Sequence, residues 1–157
     1  MNKSYKKKNK NILLREKKAL DYIYEGELNK AEDIYKSLIS EGFANYSIYI
    51  NLAVICAKKN YQNERIFLLK KAIELNPSSS TAFNNLGNAF RSVYKIGSAI
   101  TSYRKALHLR PRYPEAECNL GVALQERGSN ELAINSFRRA LELKPNYPEA
   151  LSNLGVA

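Results

Sequence analysis

Apolar residues return along this chain with a helical period, and that pattern itself returns at a longer one. Between residues 80 and 113, Phe83, Leu86, Gly87 and Phe90 fall at i, i+3, i+4 and i+7, one stripe on a helix of about 80–93. Ala99, Tyr103, Ala106 and Leu107 form a second stripe on a helix of about 96–109. Pro111 follows; proline has no amide donor and clashes with the preceding turn, so the second helix stops before it. LKKAIELNP ends at Pro77, YRKALHLRP at Pro111 and FRRALELKP at Pro145, 34 residues apart both times. FNNLGNAF (83–90), ECNLGVAL (117–124) and LSNLGVA (151–157) keep the same interval, and YINLAVIC (49–56) extends it backwards. LREKKALDYIYEGELNKAEDIYKSLI (14–39) carries it faintly, with Ala31 and Tyr35 in phase with Ala99 and Tyr103.

A fixed period of this length marks a repeat architecture, in which each helix pair covers the apolar face of the next. The pattern resembles the tetratricopeptide repeat. Leu86, Gly87, Phe90, Ala99, Tyr103, Ala106 and Pro111 match its motif, as do Leu120, Gly121, Leu124, Ala133, Phe137, Ala140 and Pro145. The expected fold is all-α, a right-handed α-solenoid of antiparallel helix pairs over residues 12–157. Its units are 12–45, 46–79, 80–113, 114–147 and a truncated fifth, 148–157. Gly87 and Gly121 are expected to let two helix backbones approach closely.

Departures from the motif carry their own expectations. Arg65 stands where Ala99 and Ala133 are small, which loosens the second unit, and Phe43 replaces the proline, making the first unit cap-like. The turn inside each pair has Gly26, Asn60 and Gly128 in phase, but Tyr94 in the third unit. Tyrosine tolerates left-handed geometry poorly, so that turn should be rearranged around Gly97. Residues 148–157, PEALSNLGVA, copy PEAECNLGVA at 114–123 and stop in mid-helix, as a fragment of a longer chain would. Leu151, Leu154 and Val156 then have no second helix to cover them, and the uncovered surface could drive dimerisation.

In the tetratricopeptide family, first helices line an inner groove. The residue before each Leu-Gly or Leu-Ala then points into it, and here it is Asn51, Asn85, Asn119 and Asn153. An amide both donates and accepts, so such a column can pair with the backbone of an extended peptide. The arrangement resembles the asparagine ladder in the repeat arm of O-linked N-acetylglucosamine transferase. The alternative is that these asparagines tie neighbouring helices together. Asn84, Asn88, Thr81 and Arg91 would add polar groove contacts, and Val54, Val122 and Val156 apolar ones. Family members that bind chaperone tails grip a carboxylate with cations; the corresponding phases here hold Ile50 and Cys118, with Glu115 and Glu149 nearby. Such a clamp is not encoded.

Charge changes the picture only locally. The net charge is +10, and five of the lysines lie in MNKSYKKKNK, so residues 1–11 read as a basic disordered tail. The third unit has six cations and no acid: Arg91, Lys95, Arg104, Lys105, Arg110 and Arg112. Lys70-Lys71, Arg104-Lys105 and Arg138-Arg139 recur in phase along the second helices, with Glu74 and Glu142 one turn on to offset two of these pairs. That stripe suits a solvated face or an acidic partner. Specific nucleic-acid recognition lacks a groove-reading motif or stacking platform. No run nears the roughly 20 apolar residues of a membrane span, and no export signal precedes the repeats, so the cytoplasm is the expected compartment.

No catalytic, metal-binding or cofactor motif appears; His108, the single histidine, has no partners at a defined spacing. Cys56 and Cys118, in different repeats, read as small apolar fillers. The expected function is a scaffold binding a peptide or partner protein in its groove, not an enzyme. The alternative is the substrate-recruiting arm of a larger enzyme, glycosyltransferase-like, with its catalytic domain beyond residue 157.

Overall fold

The computed structural model describes residues 3–156, with side chains over 10–155. Among these residues the structure is all-α: nine helices and no strand. They are α1 (Lys3–Tyr24), α2 (Leu28–Ser40), α3 (Tyr46–Lys58), α4 (Gln62–Leu75), α5 (Ser80–Ser92), α6 (Ile96–Leu109), α7 (Pro114–Glu126), α8 (Asn130–Leu143) and α9 (Pro148–Val156). The chain divides into two compact units, one up to Leu75 and one from Asn76 onward.

Helix α1 starts at Lys3 and so takes in most of the segment that composition reads as a disordered tail; Met1 and Asn2 lie outside the described residues. The physical reason is that lysine is among the better helix formers, so a lysine-rich run continuous with an apolar-striped helix can extend it.

In the first unit α1 packs on α2 and α3 on α4, with α2 and α1 both meeting α3. Its buried residues include Ala19, Ala31, Tyr35, Leu38, Ile48, Leu52 and Leu69. Arg65, half-buried at the start of α4, donates to Gln62 Oε1 at 3.4 Å. In the second unit α5 packs on α6 and α7 on α8, α6 on α7, and α8 on α9. One buried cluster there joins Tyr103 of α6, Leu120 and Leu124 of α7 and Phe137 of α8 to Ala150 of α9. Leu154 packs against this cluster while Leu151 stays 53% exposed, so the end of the repeat run is only partly uncovered. Val156 lies outside the described side chains.

The turn inside each pair is one motif used four times. Glu27 N donates to Tyr22 O, Tyr61 N to Cys56 O, Lys95 N to Phe90 O and Ser129 N to Leu124 O, all at 2.8–2.9 Å. These six-to-one bonds satisfy helix-terminal carbonyls and require a left-handed residue just before the donor. That residue is Gly26, Asn60, Tyr94 or Gly128, with φ of 82°, 61°, 58° and 81°. The expected rearrangement around Gly97 therefore does not occur. Tyr94 adopts the left-handed conformation itself, its side chain 90% exposed, because the repeat's hydrogen-bond pattern outweighs the cost of one unfavourable residue.

The connections between pairs are equally readable. Helices α4, α6 and α8 end two residues before Pro77, Pro111 and Pro145. Ser79 Oγ caps α5 by accepting from Ala82 N at 3.1 Å, and Asn45 Oδ1 caps α3 through Ile48 N at 2.9 Å. Pro114 and Pro148 occupy the first position of α7 and α9, where a missing amide donor costs nothing.

Gly87 and Gly121 are tight for a reason other than backbone approach. A Cβ on Gly87 would lie 2.4 Å from the Tyr103 ring, and one on Gly121 2.5 Å from the Phe137 ring. Each glycine is a seat for an aromatic ring from the partner helix. At the same phases α3 and α4 pair Ala53 with Leu69, a larger seat with a narrower side chain. Gly155 has nothing within 4 Å of a built Cβ, as no described helix follows α9.

Candidate functional site

The sequence places the candidate contact residues on first helices, and the second unit brings three of these together, α5 beside α7 and α7 beside α9. Asn85 on α5, Asn119 on α7 and Asn153 on α9 are each half-buried. Asn119 Nδ2 donates to Asn84 Oδ1 at 3.0 Å, and Asn153 Nδ2 makes a long 4.0 Å contact to Cys118 Sγ. The two contacts share one geometry: each asparagine reaches the residue just before its counterpart in the preceding repeat. Arg91 Nη1 follows the same spacing to Glu126 Oε1 at 2.9 Å, joining α5 to α7.

Helix tying therefore uses only part of these amides. The amide nitrogens of Asn119 and Asn153 are engaged between helices, whereas their carbonyl oxygens make no hydrogen bond among the described residues. Asn85 makes none among the described residues, which leaves its whole amide open to a ligand there. Asn84 is only 6% exposed, and its oxygen already accepts from Asn119, which removes it from the surface. Asn88 Oδ1 accepts from the Tyr103 hydroxyl at 2.7 Å. Thr81 is exposed and Val122 half-buried. The Arg91 guanidinium is half-buried, and its Nε is shut off from solvent with no acceptor.

The first unit presents Asn51 by itself. Its Nδ2 donates to the Tyr35 hydroxyl at 3.0 Å, and burial pushes that phenol up to about 12. Asn51 and Val54 also line a cavity of about 360 Å³ between α1 and α3, with Leu20, Ile23, Tyr24 and Lys58. On α2, Glu32 bridges Lys36 and Lys59. The hydrogen bonds from Lys36 and then Lys59 hold its carboxyl below the usual range.

Of the phases where a carboxylate clamp would sit, Ile50 is half-buried, Cys118 is buried, and Glu115 and Glu149 are exposed. Burial raises both thiols, Cys56 to about 11, as suits inert fillers. Arg104, Lys105, Arg110 and Arg112 are exposed, and none of them forms an ion pair among the described residues. Glu74 does offset its neighbour, holding Lys71 at 2.7 Å. Glu142 pairs with neither Arg138 nor Arg139, so that compensation is absent. No described helix is long and apolar enough to cross a membrane, and the described residues hold no cluster suited to a metal ion.

Sequence reasoning missed Glu126, the tyrosine hydroxyls and the interior of α7. An offset of 35, one repeat plus one residue, would have found the first; it recurs in Asn84–Asn119, Cys118–Asn153 and Arg91–Glu126.

Two family profiles match the chain. One, described as TPR repeat, covers residues 95–128 and 123–157, and the other, described as Tetratricopeptide repeat, covers 46–79. The chain belongs to the tetratricopeptide repeat family. Solved structures agree on the fold of this tetratricopeptide protein. MamA superposes with a TM-score of 0.82 at 23% identity, over 88% of this chain and 81% of that one. YrrB, described as a TPR protein with an unusual peptide-binding site, gives 0.79 at 19% identity, over 85% and 69%. The first TPR of Spaghetti (RPAP3), bound to the HSP90 peptide SRMEEVD, gives 0.70 at 23%, over 71% and 89%. A search of curated protein sequences finds no match.

Proposed function

We propose that this tetratricopeptide protein is an interaction scaffold that holds an extended segment of a partner protein along the first helices of its repeats. The observation that carries this reading is Asn85, an unused amide on α5, followed by the unused carbonyl oxygens of Asn119 and Asn153 on α7 and α9. A free donor and acceptor followed by further acceptors suits the main chain of an extended peptide, whatever its side chains. Arg91, Asn88 and Val122 flank the row, and Asn51 with its cavity gives the first unit a similar surface. Two similar structures, YrrB and RPAP3, are described with a peptide-binding site or a bound peptide, which supports peptide binding here. The ligand differs from the acidic SRMEEVD in one respect: Glu115 and Glu149 disfavour a carboxylate on α7 and α9.

The test is selection from a random displayed-peptide library, followed by affinity measurement on the selected peptide. Asn85→Ala should weaken it about fivefold to tenfold, the worth of one net hydrogen bond, with unchanged helicity. Asn85 is the clean probe, because Asn119→Ala would also leave Asn84 buried without its donor. Unaltered affinity in Asn85→Ala removes the amide row from the account.

A further inference from the structure

A second site lies among α6, α7 and α8, away from the amide row and independent of it. Tyr49, Phe83, Glu117 and Leu151 share one phase of the repeat, so three of four units put a large apolar side chain there and one puts a carboxylate. The ring of Phe83 packs against the cluster of Ala106, Tyr113 and Ala116. Glu117 puts a carboxyl at that phase, and a cleft of about 670 Å³ lies beside it. Its apolar wall comes from Leu107 on α6, Leu120 and Leu124 on α7, and Leu132 and Leu143 on α8, with the polar Asn135 and Ser136 of α8 also lining it.

Glu117 lines this cleft while only 6% exposed. Neither carboxyl oxygen makes a hydrogen bond among the described residues, and Oε2 is shut off from solvent. A buried acceptor left without a donor is costly, and an occupant that brings a donor removes that cost. The terminal torsion of a glutamate is soft, so either oxygen can turn toward the cleft. The charged groups around it are Arg104 and His108 from α6 and Arg139 and Glu142 from α8. Arg139 forms no ion pair with Glu117. The two arginines disfavour an ammonium occupant, and Glu117 itself disfavours a carboxylate.

We propose that this cleft receives a tyrosine side chain from a partner protein, the ring lying against the leucine walls and the hydroxyl donating to Glu117. A phenol combines a flat apolar body with a single uncharged donor at its tip. Leucine walls and the buried, unpaired carboxyl of Glu117 suit that combination.

The test uses p-cresol as the tyrosine side chain, toluene as its hydroxyl-free counterpart and n-butylammonium as a lysine mimic. Each is titrated into the full chain with methyl-labelled leucines. p-Cresol should shift Leu107, Leu120 and Leu124 but not Leu52 or Leu69, with an affinity about tenfold above toluene's; n-butylammonium should shift none of them. In Glu117→Leu, which restores the residue type of Leu151, p-cresol should fall to the level of toluene. Glu117→Phe should close the cleft to all three. The proposal is overturned if p-cresol binds no better than toluene, if n-butylammonium binds better than either, or if Glu117→Leu keeps the preference. Should Glu117→Phe fail to fold, Glu117→Leu still decides.

Discussion

Replacing Gly121 by alanine puts one carbon where there is no room. The new Cβ would stand 2.5, 2.7 and 2.9 Å from three ring atoms of Phe137, against about 3.5–4.0 Å for ordinary carbon contact. The ring must therefore recede by about 1 Å. Phe137 is fully buried between α7 and α8, so it has nowhere open to go. Overpacking of this kind costs about 1–3 kcal/mol, and alanine's better helix propensity returns about 1 kcal/mol. With an aromatic ring as the obstacle, the upper part of that range applies, for a net loss of about 1–2 kcal/mol. Thermal unfolding should fall by about 2–4 °C per kcal/mol for a chain of this size. Amide exchange should quicken first in α7 and α8, since repeat arrays lose stability locally. Adding Phe137→Leu rebuilds the Ala53–Leu69 combination at the equivalent phase and should recover at least about 0.5 kcal/mol over the sum of the single changes. Gly155→Ala meets open space and should not destabilise. A stabilised Gly121→Ala, or strict additivity with Phe137→Leu, would refute the ring-seat argument.

Three further outcomes follow from the geometry. Tyr94→Gly relieves a left-handed tyrosine whose side chain is almost fully exposed, and should raise stability by about 0.5–1 kcal/mol in thermal melts; an unchanged or lower melting temperature contradicts this. Burial raises the Glu117 carboxyl, so the folded chain holds that proton more tightly than the unfolded chain and stability falls as pH rises from the ordinary carboxylate value to the raised one. Glu117→Gln should therefore be the more stable protein at pH 7.5 and equal to the parent near pH 3.5 in urea titrations; no difference at either pH speaks against it. Glu32 shifts the opposite way through its bonds to Lys36 and Lys59, so its contribution is present above the ordinary carboxylate value and fades as pH falls through the lowered one. Glu32→Gln should destabilise at pH 7 and be neutral near pH 2.5, and a constant difference across that range would count against the bridge.

Much of the helix order was legible because it rests on short-range signals. Pro111 and Pro145, the Leu-Gly pairs and the alternation of apolar stripes need no knowledge of neighbours. Tyr94 was misread because propensity was weighed without the six-to-one bond from Lys95 to Phe90, which fixes the turn whichever residue stands there. The glycines were recognised as close-contact positions, but what approaches them is a ring, and only packing shows that Tyr103 and Phe137 lie over Gly87 and Gly121. At the candidate site, the sequence could align four asparagines; it could not show that Asn84 takes the amide of Asn119 or that Asn85 is left free. Those differences arise from contacts one repeat away, between side chains whose identities vary from unit to unit. Glu117 was not singled out in the sequence, although its phase-mates Tyr49, Phe83 and Leu151 already marked the position as apolar.

The most direct measurement follows the side-chain amide resonances of Asn85, Asn119 and Asn153 while a library-selected peptide is titrated into the isotope-labelled chain. The scaffold account predicts that the Asn85 amide shifts most, with smaller shifts at Asn119, Asn153 and the backbone of Val122. Shifts gathered instead on Arg104, Lys105, Arg138 and Arg139 of α6 and α8, with the asparagine amides unmoved, would place the partner on the second helices and contradict it.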